Sequence, residues 1–235
     1  MKIGILDSGV GGLTVATEII KKAPDVSINY FADAANCPYG DKSPKEIYEL
    51  AENALRFFEN KNPSVIVIAC GTISSVALIK LQEKSKIPLL GVISSKYKPK
   101  AVLATSATCS SGIFSEAIAI ACPLFVPMIE AGQGKAADFK ALAKEYLRQI
   151  PKDINEILLG CTHYPLVLET LLEVRPAKYI NMADALIKEL LTRFPDFKSK
   201  RGANGEHEFY TSGEPSRFDF LAKSMSGLVC SSKKA

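Results

Sequence analysis

The chain has 235 residues, of which 47% are hydrophobic and 23% charged, and its formal net charge is +4. This length accommodates one large domain or two small ones, and the composition excludes a chain that is mostly disordered. The basic residues fall in short runs (Lys96, Lys98 and Lys100; Lys198, Lys200 and Arg201), as on solvated loops, and not in the broad basic face that a nucleic-acid partner requires.

In chain order, Lys2–Leu6 reads as a strand that begins almost at once, without the layout of a signal peptide. The Gly-rich turn Gly9-Val10-Gly11-Gly12 leads to a helix over Leu13–Lys22 and a second strand over Ile28–Ala32. Ser43-Pro44 with Glu46 supplies an N-cap, a proline at the first helical position and a capping-box acid. Ile47, Leu50, Ala51, Ala54, Leu55 and Phe58 continue at helical spacing. Val65–Ala69 is apolar enough for a strand buried on both faces, and a helix over Ser74–Glu83 and a strand over Leu89–Ile93 follow.

Beyond Ser94-Ser95 the pattern restarts. Ala101–Ala104 reads as a strand, and Phe139, Leu142, Ala143, Tyr146, Leu147 and Ile150 stripe a helix. Ile157–Gly160 is a buried strand, Pro165 opens the next helix, and Leu186, Ile187, Leu190, Leu191 and Phe194 stripe another. The longest apolar stretch, 117–129, is too short to span a bilayer and holds Pro123 and Pro127, so a cytoplasmic protein with no membrane partner is expected. Residues 198–205 read as a linker, Glu208–Thr211 and Arg217–Lys223 as a last strand and helix, and the residues from Ser226 as a frayed tail. This alternation predicts an α/β fold in two units with largely parallel sheets and a boundary near Ser94-Ser95.

Three predicted strand ends carry chemically capable residues: Asp7-Ser8, Cys70-Gly71-Thr72 and Cys161-Thr162-His163. Ligands of open α/β sheets bind beyond the carboxyl ends of the strands, where helix N-termini favour a carboxylate or a thiolate. A lone buried cysteine is most simply a small hydrophobe. Two in matched strand-to-turn contexts can do more: one thiolate removes a proton from a carbon centre while the other thiol returns one from the opposite side, as in a racemase or epimerase. Asp7 and His163 are candidate partners of the two thiols, with a helix cap and a satisfied core histidine as their bland alternatives. Asp33 and Glu130 are weaker candidates. Cys37, Cys109, Cys122 and Cys230 lack the paired context and read as core thiols.

The six cysteines include no Cys-x-x-Cys pair, and there are only two histidines, so free thiols are expected in place of disulfides or a metal cage. The Gly-rich turn fails as a dinucleotide fingerprint because Thr14 stands where the third glycine belongs. It reads instead as a tight strand-to-helix crossing that lets a small ligand approach the backbone, and no cofactor is expected.

These residues bear a family resemblance. Gly4-Ile5-Leu6-Asp7-Ser8-Gly9-Val10-Gly11-Gly12-Leu13, Pro38-Tyr39-Gly40, Ile68-Ala69-Cys70-x-Thr72, 122–127, 159–166 and 209–215 together resemble bacterial glutamate racemases of the aspartate/glutamate racemase superfamily, in family order over nearly the whole chain. The resemblance implies two pseudo-symmetric α/β domains with the active site in the cleft between them. The first domain would hold residues 1–94, completed by 206–235, and the second residues 95–205. It implies cofactor-independent racemisation of glutamate, with Cys70 deprotonating the D-enantiomer and Cys161 the L-enantiomer. Asp7 would assist Cys70 and His163 would assist Cys161, with Asp33 and Glu130 in support. Asp7, Ser8, Tyr39, Gly40, Gly71, Thr72, Thr162 and His163 would hold the acidic amino acid. The product would feed peptidoglycan synthesis, and members of the family commonly form homodimers.

The chain departs from the family pattern in four places. Gly71 replaces an asparagine, removing a side-chain contact worth roughly 1–3 kcal/mol. Ser94-Ser95 replaces the usual end of the Gly91-Val92-Ile93 segment, the stretch Ser111–Cys122 is short, and Asn181-Met182 stands where the family tends to have Asp-Ser. Racemisation of another acidic amino acid such as aspartate, or a weakly catalytic homologue with a binding or regulatory role, are the alternatives that these changes raise.

Overall fold

The computed structural model describes residues 1–93, 97–195 and 205–235. The expected boundary at Ser94-Ser95, Lys96, the basic run at Lys198–Arg201 and most of the expected linker lie outside them. Strands β1 (Lys2–Asp7), β2 (Ser27–Ala32), β3 (Val65–Ile68) and β4 (Leu89–Gly91) begin a first sheet. Strands β5 (Ala101–Ala104), β6 (Ile118–Ala121), β7 (Glu156–Leu159) and β8 (Lys178–Asn181) build a second. The chain then returns to the first sheet with β9 (His207–Thr211) and β10 (Lys233–Lys234). The strand orders are β10-β9-β2-β1-β3-β4 and β6-β5-β7-β8. Every described pairing is parallel, as expected from the helix-rich connections.

These orders fix where a site can form. In the first sheet the chain leaves β1 for β2 on one side and later places β3 on the other; in the second it does the same around β5, with β6 on one side and β7 on the other. Each reversal opens a crevice at the carboxyl ends of two adjacent strands. The crevice residues are therefore those after β1 and β3 in one sheet, and those after β5 and β7 in the other.

Local signals explain most elements. The capping box closes as expected: Glu46 N donates to Ser43 Oγ at 3.3 Å, and Ser43 N donates to Glu46 Oε2 at 3.0 Å, starting the helix Pro44–Leu55. The helix expected over Ser74–Glu83 is two helices, Gly71–Val76 and Leu78–Lys84, which break at Ala77. Pro165 sits inside a 3₁₀ turn, Tyr164–Val167, that precedes the α-helix Leu168–Val174. β6 and β8 were not legible as strands; both are short and half-exposed, so neither shows a clean apolar period. The tail is also ordered at its end. Lys233 and Lys234 pair with Tyr210 and Thr211, and Lys234 Nζ donates to the carbonyls of Ser212 and Gly213 at 2.6 and 2.8 Å.

One apolar cluster runs from Ile3, Ile5 and Val65 of the first sheet through Val102 and Leu158 of the second to Leu186 and Leu190. It includes the contact between the helices Leu13–Lys22 and Met182–Arg193, so the two sheets share a core on one side of their junction. In the second sheet's periphery, the half-buried Arg175 donates to the carbonyls of Leu147, Ile150, Pro151 and Ile154 at 2.7–3.0 Å. Hydrogen bonds from an ionised donor are stronger than neutral ones, and removing this side chain leaves four carbonyls without their partner together. Arg175→Met is expected to cost about 2 kcal/mol, lowering the melting temperature by roughly 4–8 °C; an unchanged melting curve would contradict this role.

Candidate active site

Cys70 follows β3 and is the N-cap residue of the helix Gly71–Val76; Cys161 follows β7. Both are almost fully buried, and both line one cavity of about 20 Å³ between the carboxyl ends of the two sheets. Of the residues singled out in the sequence, Ser8, Tyr39, Gly40, Gly71, Thr72, Thr162 and His163 line the same cavity. Asp7, Asp33 and Glu130 stand behind this wall. Larger recesses of about 390 and 630 Å³ occur elsewhere, but neither is lined by a cysteine.

The Cys70 end is built around a buried acid. Ser8 Oγ lies 3.3 Å from Cys70 Sγ. Asp7 accepts a hydrogen bond from Gly9 N at 2.8 Å through Oδ1, while Oδ2 has no hydrogen-bond partner among the described residues. It does not cap the following helix, whose N-cap is Gly12. Burial raises the Asp7 carboxyl to about 6, against the opposing pull of His163 and the N–H groups of Gly9 and Gly12. Burial and then the Asp7 charge push the Cys70 thiol up to about 12. The physical cause in both cases is the loss of water around the anion.

The Cys161 end is built around an ion pair. His163 Nδ1 lies 3.8 Å from Cys161 Sγ, and His163 Nε2 lies 2.9 Å from Glu130 Oε1. Burial works against the imidazolium, but the hydrogen bonds to Cys161 and Glu130 outweigh it and raise His163 to about 10. Burial also works against the Glu130 carboxylate; its bonds and charge interaction with His163, and the charge of Arg217, win and hold it below the usual carboxylate range. The pair is therefore charged, carboxylate to imidazolium to sulfur.

Asp33 shapes the cavity indirectly. Its Oδ2 accepts from Tyr39 OH at 2.5 Å and its Oδ1 from Ser212 Oγ at 2.6 Å, fixing the Tyr39 ring. Three cavity residues with chemically capable side chains, Cys37, Asp41 and Thr105, were not found from the sequence. Cys37, read there as a core thiol, lines the cavity and its Sγ lies 3.8 Å from Glu130 Oε1. Thr105 follows β5, and its Oγ1 lies 2.9 Å from Thr72 Oγ1 across the cleft. The crevice rule applied to the second sheet points to Thr105, but only once β6 is known to be a strand.

The Gly-rich turn serves a purpose other than the one its sequence suggested. A Cβ at Gly11 would lie 2.3 Å from His163 Nδ1 and 2.7 Å from Thr162 Oγ1. It is the Cys161 turn that approaches this backbone, not a ligand, and Thr14 Oγ1 donates to the Thr162 carbonyl at 3.1 Å to hold it there. Among the described residues, no group of three or more His, Cys, Asp and Glu side chains could hold a metal ion.

Residues 13–190 match the family described as Asp/Glu/Hydantoin racemase. The chain is 34% identical to the glutamate racemase of Oceanobacillus iheyensis, over 95% of this chain and 90% of that protein. Among solved structures it resembles glutamate racemase from Thermus thermophilus in complex with beta-chloro-D-alanine, with a TM-score of 0.90 and 30% identity over 100% of this chain and 96% of that one. It equally resembles the Francisella tularensis glutamate racemase in complex with D-glutamate, with a TM-score of 0.89 and 31% identity over 100% and 97% of the two chains. With a family match over most of its length and relatives that align nearly end to end, the chain belongs to the Asp/Glu/Hydantoin racemase family.

Proposed function

We propose that this protein interconverts L- and D-glutamate by a two-base mechanism, with Cys161 and Cys70 as the acid/base pair, and that it supplies D-glutamate for peptidoglycan synthesis in the cytoplasm. The observation that carries this reading is the convergence of two buried thiols, from opposite sheets, on one cavity. Among the described residues, no helix is long and apolar enough to cross a membrane. We take residues 1–94 with 206–235 as one domain and 95–205 as the other, which puts one thiol on each.

The His163 imidazolium lies beside Cys161 Sγ, whereas burial and then the Asp7 charge raise the Cys70 thiol. With L-glutamate bound, the Cys161 thiolate takes the α-proton, and the electron pair is left on the α-carbon. The Cys70 thiol then donates its proton to the opposite face of that carbon. The products are D-glutamate, a Cys161 thiol and a Cys70 thiolate. In the reverse direction the Cys70 thiolate is the base, Asp7 assists it, and the Cys161 thiol is the acid. Ser8, Tyr39, Gly40, Gly71, Thr72 and Thr162 surround the cavity with donors for the substrate's carboxylates and amino group. Fixed donors in a dry site oppose the charge that develops at the α-carbon.

Cys70→Ser and Cys161→Ser should each lower racemisation, followed by chiral chromatography, by about 10²–10⁴-fold; full activity in either variant would sink the two-thiol assignment. The pH profile of kcat/KM reports the free enzyme's groups. Activity should fall as pH drops through about 6, where Asp7 takes up its proton, and fall again as pH rises through about 10, where His163 loses its own. Glu130→Gln removes the anion that favours the imidazolium, so the alkaline limb should move to lower pH by about one unit or more. An alkaline limb that stays in place would show that Glu130 does not act through His163.

A further inference from the structure

The Asp33 carboxylate is withdrawn from water and takes its hydrogen bonds from both ends of the chain. Oδ2 accepts from Tyr39 OH at 2.5 Å, Oδ1 accepts from Ser212 Oγ at 2.6 Å, and Asn36 Nδ2 donates to both oxygens at 3.0 and 3.1 Å. A buried carboxylate needs such donors in place of water. Asp33 N also donates to the Asp7 carbonyl at 2.9 Å, which ties this hub to the strand end that carries Asp7 and Ser8. Ser212 arrives just after β9 and does not itself line the cavity. Its Oγ accepts from Ala35 N at 3.0 Å, its N donates to the Ala32 carbonyl at 3.0 Å, and its carbonyl accepts from Lys234 Nζ at 2.6 Å. A tyrosine hydroxyl has one proton. Tyr39 gives its own to Asp33 and has none left for a substrate carboxylate.

We infer that Ser212 is a positioning residue: it sets the Asp33 carboxylate, and Asp33 holds Tyr39 and Gly40 in the cavity wall, so that binding of the acidic amino acid depends on a hydroxyl outside the cavity. The inference rests on the reading of this cavity as the substrate site. Tyr39 then serves the ligand through the placement of its ring and of the Tyr39-Gly40 backbone, not through its hydroxyl proton. Burial and then the hydrogen bond to Asp33 push the Tyr39 hydroxyl well up, so it keeps its proton and remains a donor to Asp33. Without the Ser212 hydroxyl the carboxylate loses a donor and the wall loses its fixed place. Substrate and transition state lose binding alike, which raises KM and leaves kcat nearly unchanged.

The test combines steady-state kinetics with ¹³C NMR of the full chain labelled at tyrosine Cζ, recorded without substrate. Ser212→Ala should raise KM for glutamate about three- to tenfold while kcat stays within about twofold. Ser212→Thr, which keeps the hydroxyl, should restore KM. In a Tyr39→Phe background Ser212→Ala should add less than about twofold, because the route through Asp33 is already cut. The Tyr39 Cζ resonance, assigned by its loss in Tyr39→Phe, should move in Ser212→Ala and return in Ser212→Thr. An unchanged KM, an equal increase in both backgrounds, or an unmoved Tyr39 resonance each overturns the inference. If Ser212→Ala does not fold, Lys234→Met takes its place. It frees the Ser212 carbonyl without touching Asp33, and an unmoved resonance in that variant overturns the inference. The resonance needs no turnover, so a protein that left glutamate unchanged would sink the proposed function and still show whether Ser212 governs Tyr39.

Discussion

A cysteine at the end of a parallel strand faces whatever lies beyond that end, and in this protein what lies beyond each sheet is the other sheet. The shared apolar cluster from Ile3 and Ile5 through Val102 and Leu158 to Leu186 holds the two carboxyl edges together. Asp7, Cys70, Cys161 and His163 are thereby all withdrawn from water. Burying so many ionisable groups is unfavourable unless they find one another. Here Ser8 meets Cys70 across neighbouring strands, and His163 meets Cys161 within one turn. Glu130 joins the second pair from the helix Phe125–Glu130.

The two ends resolve the same burial differently. At Cys70 the neighbouring carboxyl is itself raised by burial, and burial with the Asp7 charge outweighs the hydrogen bonds from Ser8 and the Ile73 N–H that favour an anion there. At Cys161 an imidazolium held by Glu130 supplies a positive charge next to the sulfur. A pseudo-symmetric backbone thus carries an asymmetric charge distribution. Transferring a proton across a substrate requires that asymmetry, because two thiols offer no base and two thiolates offer no acid. In the proposed mechanism each turnover would reverse the arrangement, and the proton would have to return before the same enantiomer reacts again.

Much of this was legible in the sequence, and the reasons are local. Val65–Ala69 and Ile157–Gly160 are unbroken apolar runs that end at a cysteine, so strand, turn and thiol could be placed together. Ser43-Pro44 with Glu46 announces its helix through the capping chemistry alone. What was not legible depends on long-range pairing. Thr105 joins the site only because β5 lies between β6 and β7, and β6 has no clear alternation to reveal it. Cys37 lies on the chain far from Cys70 and Cys161 and is brought in by the approach of its loop to Glu130. The two-residue strand Lys233–Lys234 is recruited by the open edge of β9, not by any propensity of two lysines. Gly11 looked like backbone left bare for a ligand; the Cys161 turn occupies that space.

The central claim is that two different groups handle the α-proton on opposite faces of one carbon. Its most direct test is a single turnover of L- and of D-glutamate in deuterated water, with mass and chirality read on the same product. Each enantiomer should yield its mirror image carrying deuterium at the α-carbon, while substrate recovered before conversion remains largely unlabelled. Deuterium uptake without inversion would indicate one base working alone, and no uptake from either enantiomer would contradict the assignment of this cleft as a glutamate racemase site.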